Sequence, residues 1–193
     1  HIKALIAAGD TYQVNYTCHA RFCLAADPLE YFLTLVRSHP VPYAAYLNLG
    51  QVQVLSLSPE LFLRRRGERL ETRPMKGTRA RGRTGEEDEQ LANELVTGDK
   101  DRAENVMILD MMRNDLGRVC QVGTVKVPAM FTAEKYRTLW QMTSTAVGRV
   151  GRETPIGEIL AATFPASSIT GAPKHRTMAI IRALEPEPRG PYT

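Results

Sequence analysis

The sequence is poor in the features that mark secreted, metal-thiolate and membrane proteins. Three cysteines, Cys18, Cys23 and Cys120, give no disulfide framework and no C-x-x-C metal spacing. Free thiols point instead to a reducing compartment. No apolar run reaches membrane-spanning length. His1-Ile2-Lys3 leads straight into an amphipathic segment with no leader pattern, so the expected location is the cytoplasm. There is no internal repeat, low-complexity run or linker. His19, His39 and His175 are too scattered to read as a triad or a zinc site, and the single tryptophan, Trp140, reads as core.

What is present is the composition of an ordinary globular chain: 193 residues, 43% hydrophobic and 24% charged. The net charge of +4 and a pI of about 9.1 fit a nucleic acid or a small acidic substrate. The charge is uneven. Nine of the 25 Lys and Arg residues fall between positions 64 and 83, against only Glu68 and Glu71. The remainder is balanced or acidic.

Periodicity predicts a helix over 2–8 ended by Gly9, so the chain opens inside an element. Alternation predicts a strand over 12–22. Asp27-Pro28 is a helix cap followed by a first-turn proline. Strands are expected over 43–49, 52–57, 61–65 and 69–73, the last two joined at Arg66-Gly67-Glu68. A basic loop follows, then a helix from Thr84 to about 96 and a helix over 100–116, apolar nearly all round and therefore buried. A short strand over 124–127, a longer one over 137–147 and a helix over 156–163 come next. A hydroxyl-rich loop and a last helix opened by Gly171-Ala172-Pro173 close the chain. Helices and strands do not alternate one for one, which argues for an α+β domain with antiparallel sheets.

Four stretches carry chemistry. Arg73-Pro74-Met75-Lys76-Gly77-Thr78-Arg79-Ala80-Arg81-Gly82 sets one lysine among arginines. Their potential would favour a neutral, nucleophilic amine on Lys76 and attract an anion; the plainer reading is a basic surface loop. Glu60, delivered at a strand end by Ser58-Pro59, is either a general acid or base or an exposed edge residue. Asp101 and Glu104 lie three apart, where they either hold Mg²⁺ with waters and a substrate oxygen or decorate a helix start that favours acids. Ser167-Ser168-Ile169-Thr170-Gly171-Ala172-Pro173-Lys174 is either a helix cap or an anion-binding helix mouth. It is not a phosphate loop of the G-x-x-x-x-G-K-[ST] kind. Asp110 reads as an ion-pair partner of Arg113 or Arg102.

Together, these stretches, with Ala8-Gly9-Asp10-Thr11-Tyr12-Gln13-Val14-Asn15, Lys100 to Asn105 and Arg113-Asn114-Asp115, resemble the chorismate-utilising family. The resemblance covers nearly the whole chain and implies a layered fold of antiparallel sheets with helices outside, residues 1–193 forming part of one catalytic domain. The lysine of Pro74-Met75-Lys76-Gly77-Thr78 resembles the branch that aminates chorismate to 4-amino-4-deoxychorismate, on the way to 4-aminobenzoate and folate. The anthranilate-forming branch usually carries alanine there and is the alternative; a nucleic-acid-binding domain is the distant one.

The resemblance implies that Lys76 attacks C2 of the ring and that Glu60 transfers protons. It implies Mg²⁺ on Glu104, with Asp101 helping through water. Gly77, Thr78, Ser168, Thr170, Gly171, Ala172 and Tyr192 would bind substrate. It also implies a glutamine amidotransferase partner that supplies ammonia. Gln141 stands where anthranilate synthases carry a histidine. Family members continue past Thr193, so the expectation is a chain cut at both ends, inactive alone and with an open sheet edge prone to self-association.

Overall fold

The computed structural model describes residues 1–192, without the side chain of Tyr192. Helix α1, Ile2–Ala7, is followed by a two-residue strand β1, Gln13–Val14, and by helix α2, Pro28–Ser38. Asp27 caps α2 by accepting the amides of Leu29 and Glu30. The strand expected over 12–22 is therefore reduced to β1. Alternating tyrosines supply the pattern, but past Val14 only a single backbone bond, Asn15 N–H to the Thr170 carbonyl at 2.9 Å, continues the pairing. Tyr16 and Phe22 are exposed.

Strands β2, Tyr43–Asn48, and β3, Gln53–Ser58, form a separate antiparallel hairpin. Strands β4, Leu61–Arg66, β5, Arg69–Arg73, and β6, Met75–Ala80, then run almost without interruption. The segment expected as a basic loop is strand β6. Helix α3, Gly85–Thr97, capped by the Thr84 hydroxyl, and helix α4, Asp99–Gly117, follow. Strand β7 spans Lys126–Lys135 and strand β8 Leu139–Arg149. Helix α5 is Ile156–Thr163, α6 a single turn Ser167–Thr170, β9 Gly171–Ala172 and α7 Lys174–Leu184.

The main sheet is antiparallel, in the order β4-β5-β8-β6, with β7 on the other side of β8. Strand β8 is its spine. Its far half pairs with β5 and its near half with β6, so the chain crosses at Pro74 from one half of β8 to the other. Leu70, Ala146, Val150, Leu109, Leu116, Cys120 and Ile159 pack into one core between sheet, α4 and α5. Ile108, Met112 and Ala166 form a second core, joined by Phe62 and Ile169.

Helix α4 is not buried all round. Asn105, Ile108, Leu109, Met112, Asp115 and Leu116 lie inside, at the three-and-four spacing of one helix face, while Val106 is exposed. The α+β class with antiparallel sheets holds. Among the described residues, no helix is long and apolar enough to cross a membrane.

Candidate active site

Lys76 reaches its position through a bulge. Met75 pairs with Thr143 and Thr78 with Gln141 on β8, so β6 spends one residue more than its partner between the two pairs. Such a bulge breaks the in-out alternation and re-aims a side chain. Gly77 adopts φ +94°, and a Cβ there would lie 2.9 Å from the Leu95 side chain and 3.3 Å from Asp101 Oδ1. Its bareness lets β6 press against α3 and α4. An isolated glycine inside a strand pattern was the available sign of this bulge.

Glu60 lies between the end of β3 and the start of β4, its amide donating to Ser58 Oγ at 3.2 Å. Its carboxylate accepts the Met75 amide at 3.3 Å. Burial pushes this carboxyl above the ordinary range, against the Ser168 hydroxyl bond, the Met75 amide and the charge of Lys76. The Lys76 amine donates to the Ser168 carbonyl at 3.2 Å. Lys76, Glu60 and Ser168 therefore share one place, built from β6, the β3–β4 junction and α6.

The arginines around Lys76 do not act as the sequence suggested. Arg73 pairs with Glu134 at 3.3 Å, Arg79 with Asp101 at 2.6 Å and Arg81 with Asp88 at 2.6 Å. Their positive potential is neutralised locally, while Lys76 makes no ion pair with a described residue. The wider basic run is spent in the same way. Arg64 and Arg69 hold Glu71, and Arg65 donates to the carbonyls of Gly151, Arg152 and Thr154. Most of the run is therefore internal architecture, with Arg66 and Arg83 left exposed.

Other expected residues divide. Ser168 and Thr170 are buried. Thr170 donates its hydroxyl to the Ala166 carbonyl at 2.9 Å, and the Ser167 hydroxyl is buried without a partner among the described residues. Gly171 and Ala172 are not a helix mouth: they pair with β1 as β9, Gln13 opposite Ala172 and Val14 opposite Gly171. Helix α7 starts only at Lys174. Thr78 is exposed and donates to Gln141 Oε1 across the strands at 3.2 Å, away from the Lys76 amine in hydrogen bonding. The side chain of Tyr192 is outside the described residues.

The paired carboxylates of α4 also separate. Asp101 is committed to Arg79 and packed against Gly77 and Gly98, which removes it from the pair offered to a cation. The side chain of Glu104, half-buried, makes no hydrogen bond or ion pair with a described residue. Among the described residues, no three of His, Cys, Asp and Glu gather as a metal centre. Mg²⁺ does not need one, since it commonly uses one or two carboxylates with waters and substrate oxygens. Glu104 fits that description.

Sequence reasoning missed the buried ion pair between Lys174 and Asp115, which joins the start of α7 to the end of α4 while Lys174 also donates to the Thr163 carbonyl at 2.9 Å. It did find Asp110 with Arg113, 2.7 Å apart. Arg102 stacks on Phe131 instead. A cavity of about 490 Å³ borders Thr170 and Arg189 but neither Lys76 nor Glu60.

This architecture and site define a known class: over residues 1–193 the chain matches the family described as chorismate binding enzyme, and it belongs to that family. It is 46% identical over 192 residues to aminodeoxychorismate synthase component 1 of Bacillus subtilis, covering 100% of this chain and 41% of that one. It is 42% identical over 192 residues to an anthranilate synthase component 1 of Haloarcula marismortui, covering 100% and 39%. The crystal structure of anthranilate synthase component I from Streptococcus pneumoniae superposes with a TM-score of 0.80 at 29% identity, over 96% of this chain and 41% of the other. The chain thus spans between about a quarter and two fifths of the curated relatives it matches.

Proposed function

We propose that the protein carrying this chain aminates chorismate to 4-amino-4-deoxychorismate, a step toward 4-aminobenzoate and folate, using ammonia from a glutamine amidotransferase partner. The observation that carries this reading is the Lys76 amine held beside the Glu60 carboxyl and the buried α6 turn, rather than in an ion pair. The lysine nitrogen forms a bond to C2 of the ring, both conjugated ring double bonds shift by one position toward C4, and the C4–O bond breaks. Glu60 gives a proton to the departing oxygen, which leaves as water, and takes back the proton released by the lysine nitrogen. Ammonia then bonds to C4, the C2–N bond breaks, and lysine is restored with a proton from the incoming nitrogen. A carboxyl pushed upward by burial holds a proton more readily than a solvent-exposed one. Mg²⁺, when bound, would neutralise the ring carboxylate, and Glu104 is the residue assigned to hold it.

The anthranilate reading has support in relatives only slightly less similar. One experiment separates the two. The complete polypeptide, given chorismate and ammonium with Mg²⁺, should form aminodeoxychorismate, and Lys76→Ala should lose at least 100-fold of that rate, in the range removal of an activated group costs. Fluorescent anthranilate as the main product, or unchanged amination by Lys76→Ala, would overturn the proposal.

A further inference from the structure

A single helical turn has no later amides to satisfy its carbonyls. In α6 those carbonyls are bonded from outside. The Thr170 carbonyl accepts the Asn15 amide at 2.9 Å, and the Ile169 carbonyl accepts Arg189 Nη1 at 2.7 Å. The Ser168 carbonyl accepts twice, from Asn15 Nδ2 at 3.0 Å and from Lys76 Nζ at 3.2 Å. Asn15 is itself fixed on the remaining sides. Its carbonyl accepts Arg189 Nη2 at 2.7 Å and its Oδ1 accepts Gln13 Nε2 at 3.2 Å. Arg189 in turn is paired with Glu185 at 2.6 Å, with both side chains nearly fully buried.

We propose that Asn15 is a positioning residue for the Lys76 amine, acting through the Ser168 carbonyl. The inference rests on the reading of Lys76 as the nucleophile. A carbonyl oxygen has two lone pairs. Asn15 occupies one and fixes the plane of that peptide, which leaves the other in a set direction for the amine. A lysine side chain is flexible, and this one has no ion pair to hold it. Without a fixed acceptor the amine is free to drift toward Glu60, and an ammonium paired with a carboxylate has no lone pair for attack. The bulge at Gly77 brings Lys76 into the site; Asn15 determines where its last atom rests.

The test uses the complete polypeptide with ammonia as donor, comparing parent, Lys76→Ala, Asn15→Ala and Asn15→Gln. Displacement of a reacting group by about 1 Å costs on the order of 100-fold. Asn15→Ala should therefore lower kcat by about 10- to 100-fold, while KM for chorismate stays within about threefold and the melting temperature is kept. Asn15→Gln, which returns an N–H₂ donor, should recover part of the loss. Should Asn15→Ala fail to fold, Asn15→Asp keeps the shape and lacks the donor, and the same fall in kcat is expected. A folded variant with kcat within threefold of the parent, or a loss carried by KM, overturns the inference. If Lys76→Ala keeps full activity, the underlying functional reading fails instead.

Discussion

Glu60 is the residue beside Lys76 whose protonation the fold shifts. Burial raises its carboxyl pKa, and the Ser168 hydroxyl, the Met75 amide and Lys76 only partly offset that. A carboxyl pKa raised on folding favours the native state fully below the unfolded value, and that advantage is lost as pH rises through the folded value. Above that window the ionised group costs stability. Glu60→Gln removes this cost, so the variant should melt no lower than the parent at pH 8, with the difference shrinking toward pH 4. Its amination rate should fall by roughly 10²- to 10⁴-fold, the usual contribution of a general acid or base. A parallel loss of melting temperature at pH 8 would show the carboxylate to be a structural partner, not a strained acid.

The sequence exposed Glu60 and Lys76 because each stands beside a backbone signal, the proline of Ser58-Pro59-Glu60 and the glycine of Lys76-Gly77. It misled on how the lysine is conditioned. Arg79 and Arg81 look like a local field in one dimension, but their counter-charges, Asp101 and Asp88, come from α3 and α4, which only folding brings near. Asp101 and Glu104 show the same limit. Three residues apart they look equivalent, yet the approach of β6 leaves one spent and the other open.

Among elements, β9 is the least expected and the most constraining. Two residues pair with β1, and Gly171 sits at φ +139° with the Gln13 carbonyl oxygen 2.1 Å and Thr177 Cγ2 2.8 Å from where a Cβ would go. Neither neighbour can move freely, since Thr177 is fully buried and the Gln13 backbone is part of the pair. Gly171→Ala should therefore destabilise the protein by about 1–3 kcal/mol or more, the cost of overpacking, read as a lower denaturation midpoint. An unchanged midpoint would mean that β1 and β9 are not paired in solution.

Strand β7 was the hardest element to see. Pro128 breaks its pattern, and the ladder with β8 shifts register twice, between Lys126 and Ala129 and between Ala129 and Thr132. A proline is tolerated because β7 lies at the edge of the sheet. Helices α2, α3 and α5 were legible almost to the residue, through the caps at Asp27 and Thr84 and the apolar run of α5.

At the scale of the whole molecule, net charge suggested two kinds of partner. Most of the basic run is tied up in pairs within the fold, Arg64 with Glu71, Arg79 with Asp101 and Arg81 with Asp88, while Arg66 and Arg83 stay exposed. What remains at the centre is one lysine amine, one raised carboxyl and the turn that holds both. The central claim is that this amine bonds to the substrate. The direct measurement is peptide mass mapping of the complete polypeptide after incubation with chorismate and Mg²⁺ in the absence of ammonia, with and without an acid quench. The account predicts a mass gain equal to chorismate less one water on the peptide containing Lys76, lost again when ammonium is added. An unmodified Lys76 peptide from protein that still turns over chorismate once ammonium is supplied would contradict it.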